Sequence, residues 1–170
     1  MQPTVGVVVP AYHPDPGRLR TYLHAIRETI DPDELRVELD LPDGVGSTDA
    51  EHAESAVPVP FDLPDDVECG VVRRRRGKGA AVTAGFEALS TDVYAFADAD
   101  GATPAPSLAD VIAPVRGGDA DLAAGSRRHP DSVVRSHQTF ARRFLGDGFA
   151  WIARRLLDAE LYDYQCGAKA

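Results

Sequence analysis

Only two of the 170 residues are cysteine, Cys69 and Cys166, and they stand far apart with no Cys-x-x-Cys spacing. That excludes a disulfide framework and a zinc knuckle and fits a reducing compartment. Positive charge is also short: 18 Lys and Arg against 27 Asp and Glu leave a net charge of −9. The chain as a whole therefore repels nucleic acid and anionic lipid, and any affinity for phosphate has to be local. Lysine is the scarcest charged residue, with two (Lys78 and Lys169) beside sixteen arginines. No uncharged run approaches the ~18 apolar residues that cross a bilayer. Met1-Gln2-Pro3 enters a strand without a basic leader, so neither an export signal nor a membrane span is expected. Gly-x-Ser-x-Gly and His-Glu-x-x-His are both missing, which leaves nucleophilic and zinc hydrolase chemistry without support.

What is present is the balance of a globular domain, 44% hydrophobic and 26% charged. The β-branched run Val5 to Val9, ended by Pro10, reads as a strand buried on both faces. Asp15-Pro16 opens a helix to about Ile30 with Leu19, Leu23 and Ile26 on one face, and Asp31-Pro32 closes it. Leu35 to Leu39 and Val67 to Arg73 predict the next two strands. A helix over Gly79 to Leu89, a strand over Asp92 to Ala97, a helix over Pro106 to Val115 and a fifth strand over Asp121 to Ala124 follow. This alternation predicts an α/β fold with a mostly parallel sheet and flanking helices. Residues 40–66 are rich in turn formers and read as loop, with room for one short helix. A long helix is expected over Ser136 to Asp158, either as a core helix packed on the sheet or with its aromatics toward lipid and its arginines toward headgroups.

Three clusters carry candidate chemistry. Asp98-Ala99-Asp100-Gly101 follows the strand ending at Ala97, where ligand crevices of parallel sheets lie, and two carboxylates there suit a hard divalent cation. The alternative is a solvated acidic turn. Arg73 to Arg76, Gly77 and Lys78 form the one dense basic run, placed before a helix N-terminus that favours anions; it reads as a phosphate site or as an ion-pair face. It matches neither a Walker A loop nor a dinucleotide fingerprint. Gly125-Ser126-Arg127-Arg128 puts guanidinium at the end of the fifth strand, suited to an anion or to a plain surface turn.

Five stretches stand in order: Val7 to Tyr12, Arg76 to Val82, Asp98 to Thr103, Gly125 to Arg127, and Asp163 to Lys169. Together they resemble glycosyltransferase family 2, with its nucleotide-sugar-binding GT-A-like fold, over nearly the whole chain. Within the family they are most similar to dolichyl-phosphate β-glucosyltransferases, with dolichyl-phosphate mannosyltransferases as near relatives. The resemblance implies that Pro10, Ala11 and Tyr12 line the base and ribose, with Asp40, favoured over Asp43, reading the base. It implies Lys78 near the nucleotide and Asp98 and Asp100 on the donor and its Mg²⁺ or Mn²⁺. It places Arg127 with Arg142 or Arg143 on the acceptor phosphate, and Gln165 near the donor sugar. The implied reaction moves a hexose, glucose favoured, from a nucleoside-diphosphate sugar to a polyprenyl phosphate. The implied protein is cytoplasmic, in peripheral contact with the membrane face, and has no nucleic-acid partner. The chain departs from the family at His13-Pro14, where Asn-Glu is usual, at Asp40-Leu41-Pro42-Asp43-Gly44 in place of an acidic turn, and at Ala168 in place of Phe. Relatives continue beyond the tail motif, so residues 1–170 are expected to form one domain lacking the acceptor-side segment. A nucleotide-sugar-binding module without catalysis, or one completed by a partner, is the competing expectation.

Overall fold

A computed structural model describes residues 2–41, 61–126 and 166–170. Val5–Tyr12 forms β1, Glu34–Asp40 β2, Glu68–Val72 β3 and Val93–Ala97 β4. The helices between them are α1 (Pro16–Ile30), α2 (Lys78–Ala88) and α3 (Ala105–Arg116). A two-residue β5, Ala168–Lys169, completes a sheet of order β3-β2-β1-β4-β5. The first four strands are parallel, and β5 runs antiparallel to β4. The mostly parallel α/β sheet expected from the sequence is the architecture observed.

Local chemistry explains the element boundaries. Asp15 caps α1 by accepting the Arg18 N–H at 2.8 Å, Pro16 needs no N–H donor in the first turn, and Asp31 ends the helix in the left-handed conformation. Strand β1 runs on through Pro10, beyond the expected end at Val9. Its ladder with β4 stops at Val8, so Pro10 lies where the strand is paired only with β2.

The expected fifth strand at Asp121 to Ala124 is corrected. Only Ala124 makes a bridge there, to Lys169, and β5 sits between that segment and β4. Ala123 and Ala170 exchange both backbone hydrogen bonds, and the Gly125 N–H reaches the Ala168 carbonyl at 3.0 Å. Asp121 and Leu122 are exposed, so the run has no apolar face long enough to extend the pairing. The expected loop at 40–66 and helix at 136–158 lie largely and wholly outside the described residues.

Period two divides the sheet into two faces. Val5, Val7, Val9, Ala11, Leu35, Val37, Leu39, Ala95 and Ala97 point to the side where Leu19, Leu23 and Ile26 of α1 and Leu108 and Ile112 of α3 complete the main core. Val8, Pro10, Tyr12, Glu38, Asp40 and Phe96 point to the opposite face, where α2 packs. From β1 the chain builds outward through β2 to β3, then crosses to the other flank for β4. The switch point is thus the carboxyl ends of β1 and β4, where open parallel sheets bind ligands.

Leu23→Ala, at a fully buried α1 position, is expected to cost about 3 kcal/mol. Leu122→Ala, at a half-exposed position, should stay within about 0.5 kcal/mol of the parent; paired urea titrations read both.

Candidate functional site

The site begins with a charge problem on the α2 face of β2. Glu38 and Asp40 are each 2% exposed, and two buried carboxylates require partners. Arg76 supplies them: its Nη2 donates to Glu38 Oε2 at 2.9 Å and its Nε to Asp40 Oδ1 at 2.8 Å. Arg36 flanks Glu38 from the other side, with Nε on Oε1 at 2.7 Å and Nη1 on Glu68 Oε2 at 2.8 Å. Asp40 Oδ2 also accepts the backbone N–H groups of Arg76 at 2.7 Å and Gly77 at 3.0 Å. The turn into α2 is therefore tied to β2 by one carboxylate. Gly77 makes that turn at φ +88, a region side chains rarely enter, and Lys78 becomes the first residue of α2.

From there Lys78 reaches across to the end of β4, its Nζ 2.5 Å from Asp98 Oδ1 and 5.1 Å from the centre of the Phe96 ring. The chain after β4 folds back at once: the Gly101 N–H reaches the Asp98 carbonyl at 3.3 Å, and Asp100 Oδ1 accepts the Ala102 N–H at 2.9 Å. Asp98 faces α2, while Asp100 borders a groove of about 690 Å³ shared with Arg18, Thr21 and Tyr22 of α1. The Tyr22 hydroxyl lies buried there with no hydrogen-bond partner among the described residues. Burial first, then the charges of Asp100 and Asp98, push its ionisation above the ordinary phenol range.

The tail closes the site from the other edge. The Asp98 N–H donates to the Gly167 carbonyl at 3.0 Å. A Cβ at position 167 would stand 2.0 Å from Asp98 Oδ2, so only glycine lets the tail lie against this carboxylate. Lys169, directly opposite Phe96 in the sheet, places its Nζ 5.3 Å from the same ring and donates to the Cys166 carbonyl at 2.7 Å. Both lysines of the chain thus converge on one ring beside Asp98.

The structure brings Pro10, Tyr12, Asp40, Lys78 and Asp98 to one face at the strand ends, with Asp100 around the turn. Ala11 points the other way, into the core, so only its backbone is available to the crevice. Tyr12 carries Arg75 over its ring, 4.7 Å from the centroid. Within the basic run, Arg76 is committed to Glu38 and Asp40, as an ion-pair face. Arg127, Arg142, Arg143, Gln165 and Asp43 lie outside the described residues. Sequence reasoning missed Glu38, Phe96 and Lys169. The signals were the spacing of Arg36, Glu38 and Asp40, which puts three charges on one face of a strand, and the rarity of lysine.

Two carboxylates at one turn are a hard-oxygen donor set, and among the described residues no group of three His, Cys, Asp or Glu converges. Carboxylate oxygens of this kind suit a hard cation of the Mg²⁺ or Mn²⁺ type.

Comparison with known proteins places the chain in a family. The family model described as Glycosyl transferase family 2 matches residues 6–159. A "Glycosyltransferase AglD" of Haloferax volcanii is 36% identical over 99 residues, covering 56% of this chain and 15% of that protein. A "Dolichyl-phosphate beta-glucosyltransferase" of Mus musculus is 32% identical over 114 residues, covering 62% of this chain and 34% of that protein. Its namesake in Drosophila melanogaster is 34% identical over 100 residues, covering 55% and 30%. The chain therefore spans about a third or less of the length of these relatives. A solved mannosyltransferase PcManGT from Pyrobaculum calidifontis, in complex with GDP-Man and Mn2+, aligns with a TM-score of 0.42 at 24% identity, over 68% of this chain and 33% of that one.

Removing Arg76 tests the buried pair. Arg76→Met leaves Glu38 and Asp40 without their shared cation, and is expected to cost about 3 kcal/mol or more of unfolding free energy at neutral pH. Arg76→Lys should recover little of it, since one ammonium cannot reproduce the planar fork that serves both carboxylates; chemical denaturation of the two variants reads the difference.

Proposed function

The chain belongs to glycosyltransferase family 2, and from that membership we propose that it transfers glucose from UDP-glucose to a polyprenyl phosphate of the dolichyl type, with inversion at the anomeric carbon. The observation that carries this reading is the meeting of Lys78 with Asp98, and of Lys78 and Lys169 with the Phe96 ring, at the switch point of the sheet, with Asp100 two residues on around the turn. Cations and carboxylates side by side match a nucleoside diphosphate accompanied by a divalent metal ion. The names of the mouse and fruit-fly relatives support the lipid-phosphate acceptor and the glucosyl group.

Each residue then has a task. Pro10 and Tyr12 line the base and ribose from the end of β1. Asp40 holds the turn that delivers Lys78. Lys78 and Lys169 take charge from the diphosphate, and Asp98 and Asp100 hold the Mg²⁺ or Mn²⁺. When bound, that ion supplies neutralisation of the charge that develops on the leaving diphosphate. Arg127 with Arg142 or Arg143 aligns the acceptor phosphate, and Gln165, two residues before Gly167, approaches the donor sugar.

The acceptor monoester has a second pKa of about 6 and is largely a dianion at neutral pH. One of its oxygens bonds to the anomeric carbon as the bond from that carbon to the diphosphate oxygen breaks, and the electron pair leaves with the nucleoside diphosphate. No proton has to be removed from the nucleophile, so the chemistry asks for orientation and charge stabilisation rather than a strong base. Because the acceptor is a lipid, the reaction takes place in peripheral contact with a membrane at its cytoplasmic face. Among the described residues no helix is long and apolar enough to cross a bilayer.

Calorimetric titration with UDP-glucose and GDP-mannose, with Mn²⁺ or with chelator, tests the donor site. Metal-dependent binding of UDP-glucose is expected, weakened at least tenfold by Asp100→Ala and by Gly167→Ala, whose Cβ displaces Asp98. Failure of both donors at millimolar concentration would overturn the reading. Donor binding without sugar transfer to a polyprenyl phosphate would favour the non-catalytic module instead.

A further inference from the structure

We propose that Lys78 acts as a built-in competitor for the cation at Asp98, so that a divalent ion binds firmly only together with a nucleoside diphosphate. The inference rests on the donor-site reading above and adds an order to its assembly.

The two oxygens of the Asp98 carboxylate have different neighbours. Oδ2 is backed by Gly167, so closely that a Cβ there would stand 2.0 Å away. Oδ1 is in contact with the Lys78 ammonium. A cation arriving alone on Oδ1 has to share that oxygen with the ammonium or displace it. Two positive centres on one carboxylate oxygen repel, with water screening part of the repulsion because the Lys78 and Asp98 side chains are 46% and 36% exposed. The ammonium is also held in place. Its residue opens α2, the turn before it is bonded to Asp40 through the Arg76 and Gly77 N–H groups, and the face of Phe96 lies 5.1 Å from Nζ.

A diphosphate changes this balance, because it offers the ammonium a second anion within reach of its flexible four-carbon stem. Once Nζ turns to phosphate, Oδ1 is released to the cation, which the same phosphate also attracts. Cation and nucleotide therefore favour one another, and by linkage each raises the affinity for the other by the same factor. Arg76 cannot play this part, since both its carboxylate partners are buried and its guanidinium is fixed between them.

The test is a binding cycle on the 170-residue chain with Mn²⁺ as the probe. The free aqueous ion is followed by electron paramagnetic resonance, with and without UDP, and Mn²⁺–UDP formed in solution is subtracted. Parent protein is expected to bind Mn²⁺ weakly alone and at least tenfold more tightly with UDP. Lys78→Met and Lys78→Gln should bind Mn²⁺ alone about tenfold more tightly than the parent and show a correspondingly smaller effect of UDP. Lys78→Arg, which keeps the charge, should stay close to the parent. If Mn²⁺ alone binds the Met and Gln variants no more tightly than the parent, while parent with UDP binds it well, the competition is refuted and the donor site stands. If Mn²⁺ binds none of the proteins even with UDP, the donor-site reading falls and this inference with it.

Discussion

The arrangement depends on how two buried carboxylates are neutralised. Glu38 and Asp40 lie on the inner face of a central parallel strand, where an uncompensated charge is too costly to keep. Arg76 meets both, and because it sits at the mouth of α2 its side chain and backbone together fix where that helix begins. A hydrophobic pair in the same place could equal the stability, but it would not specify the turn. The directional bonds of Asp40 to two successive N–H groups determine which residue opens α2, and that residue is Lys78. The geometry of the crevice is in this sense inherited from a charge pair buried on the opposite side of β1 from Asp98.

The two faces of the sheet divide the labour. The side covered by α1 and α3 is apolar throughout and carries the main core. The α2 side is where polar groups accumulate toward the strand ends, from Glu38 through Asp40 to Asp98. A one-residue shift in the register of β1 would exchange Pro10 and Tyr12 with Val9 and Ala11 and remove the lining from the crevice. The tightly packed core face is therefore what keeps the functional face in register.

Much of this was legible in the residues. Helix α1 announced itself by its Asp cap, its Pro and its spaced leucines, β1 by its β-branched run and β2 by its alternation of apolar and charged residues, because local chemistry and tertiary packing agree there. The strand expected at Asp121 to Ala124 was not borne out, because a two-residue pairing at a sheet edge is decided by the partner, and Ala168–Lys169 carries no strand signal of its own. The acidic turn after β4 and the basic run before α2 singled out Lys78, Asp98 and Asp100, and the family resemblance gave them roles. Neither reading pointed to Arg76 meeting Glu38 or Lys169 meeting Phe96, since both pairs are far apart in sequence and only the crossover of the sheet brings them together. Asp40 was expected to read a base; it ends β2 buried, with its carboxylate accepting from the Arg76 side chain and from the Arg76 and Gly77 N–H groups.

The wall that Gly167 and Lys169 build against Asp98 also has a temporal meaning. Strands β1 to β4 and the three helices are complete once residue 116 has been made, whereas the tail that shapes the Asp98 carboxylate follows later. At ribosomal rates of ~5–20 residues per second the interval lasts some seconds. During it the sheet can assemble with the edge of β4 bare and the acidic turn unwalled. A nascent chain would therefore acquire its scaffold before its pocket, and an edge strand left waiting in that way is the point at which a premature neighbour could pair in place of the tail.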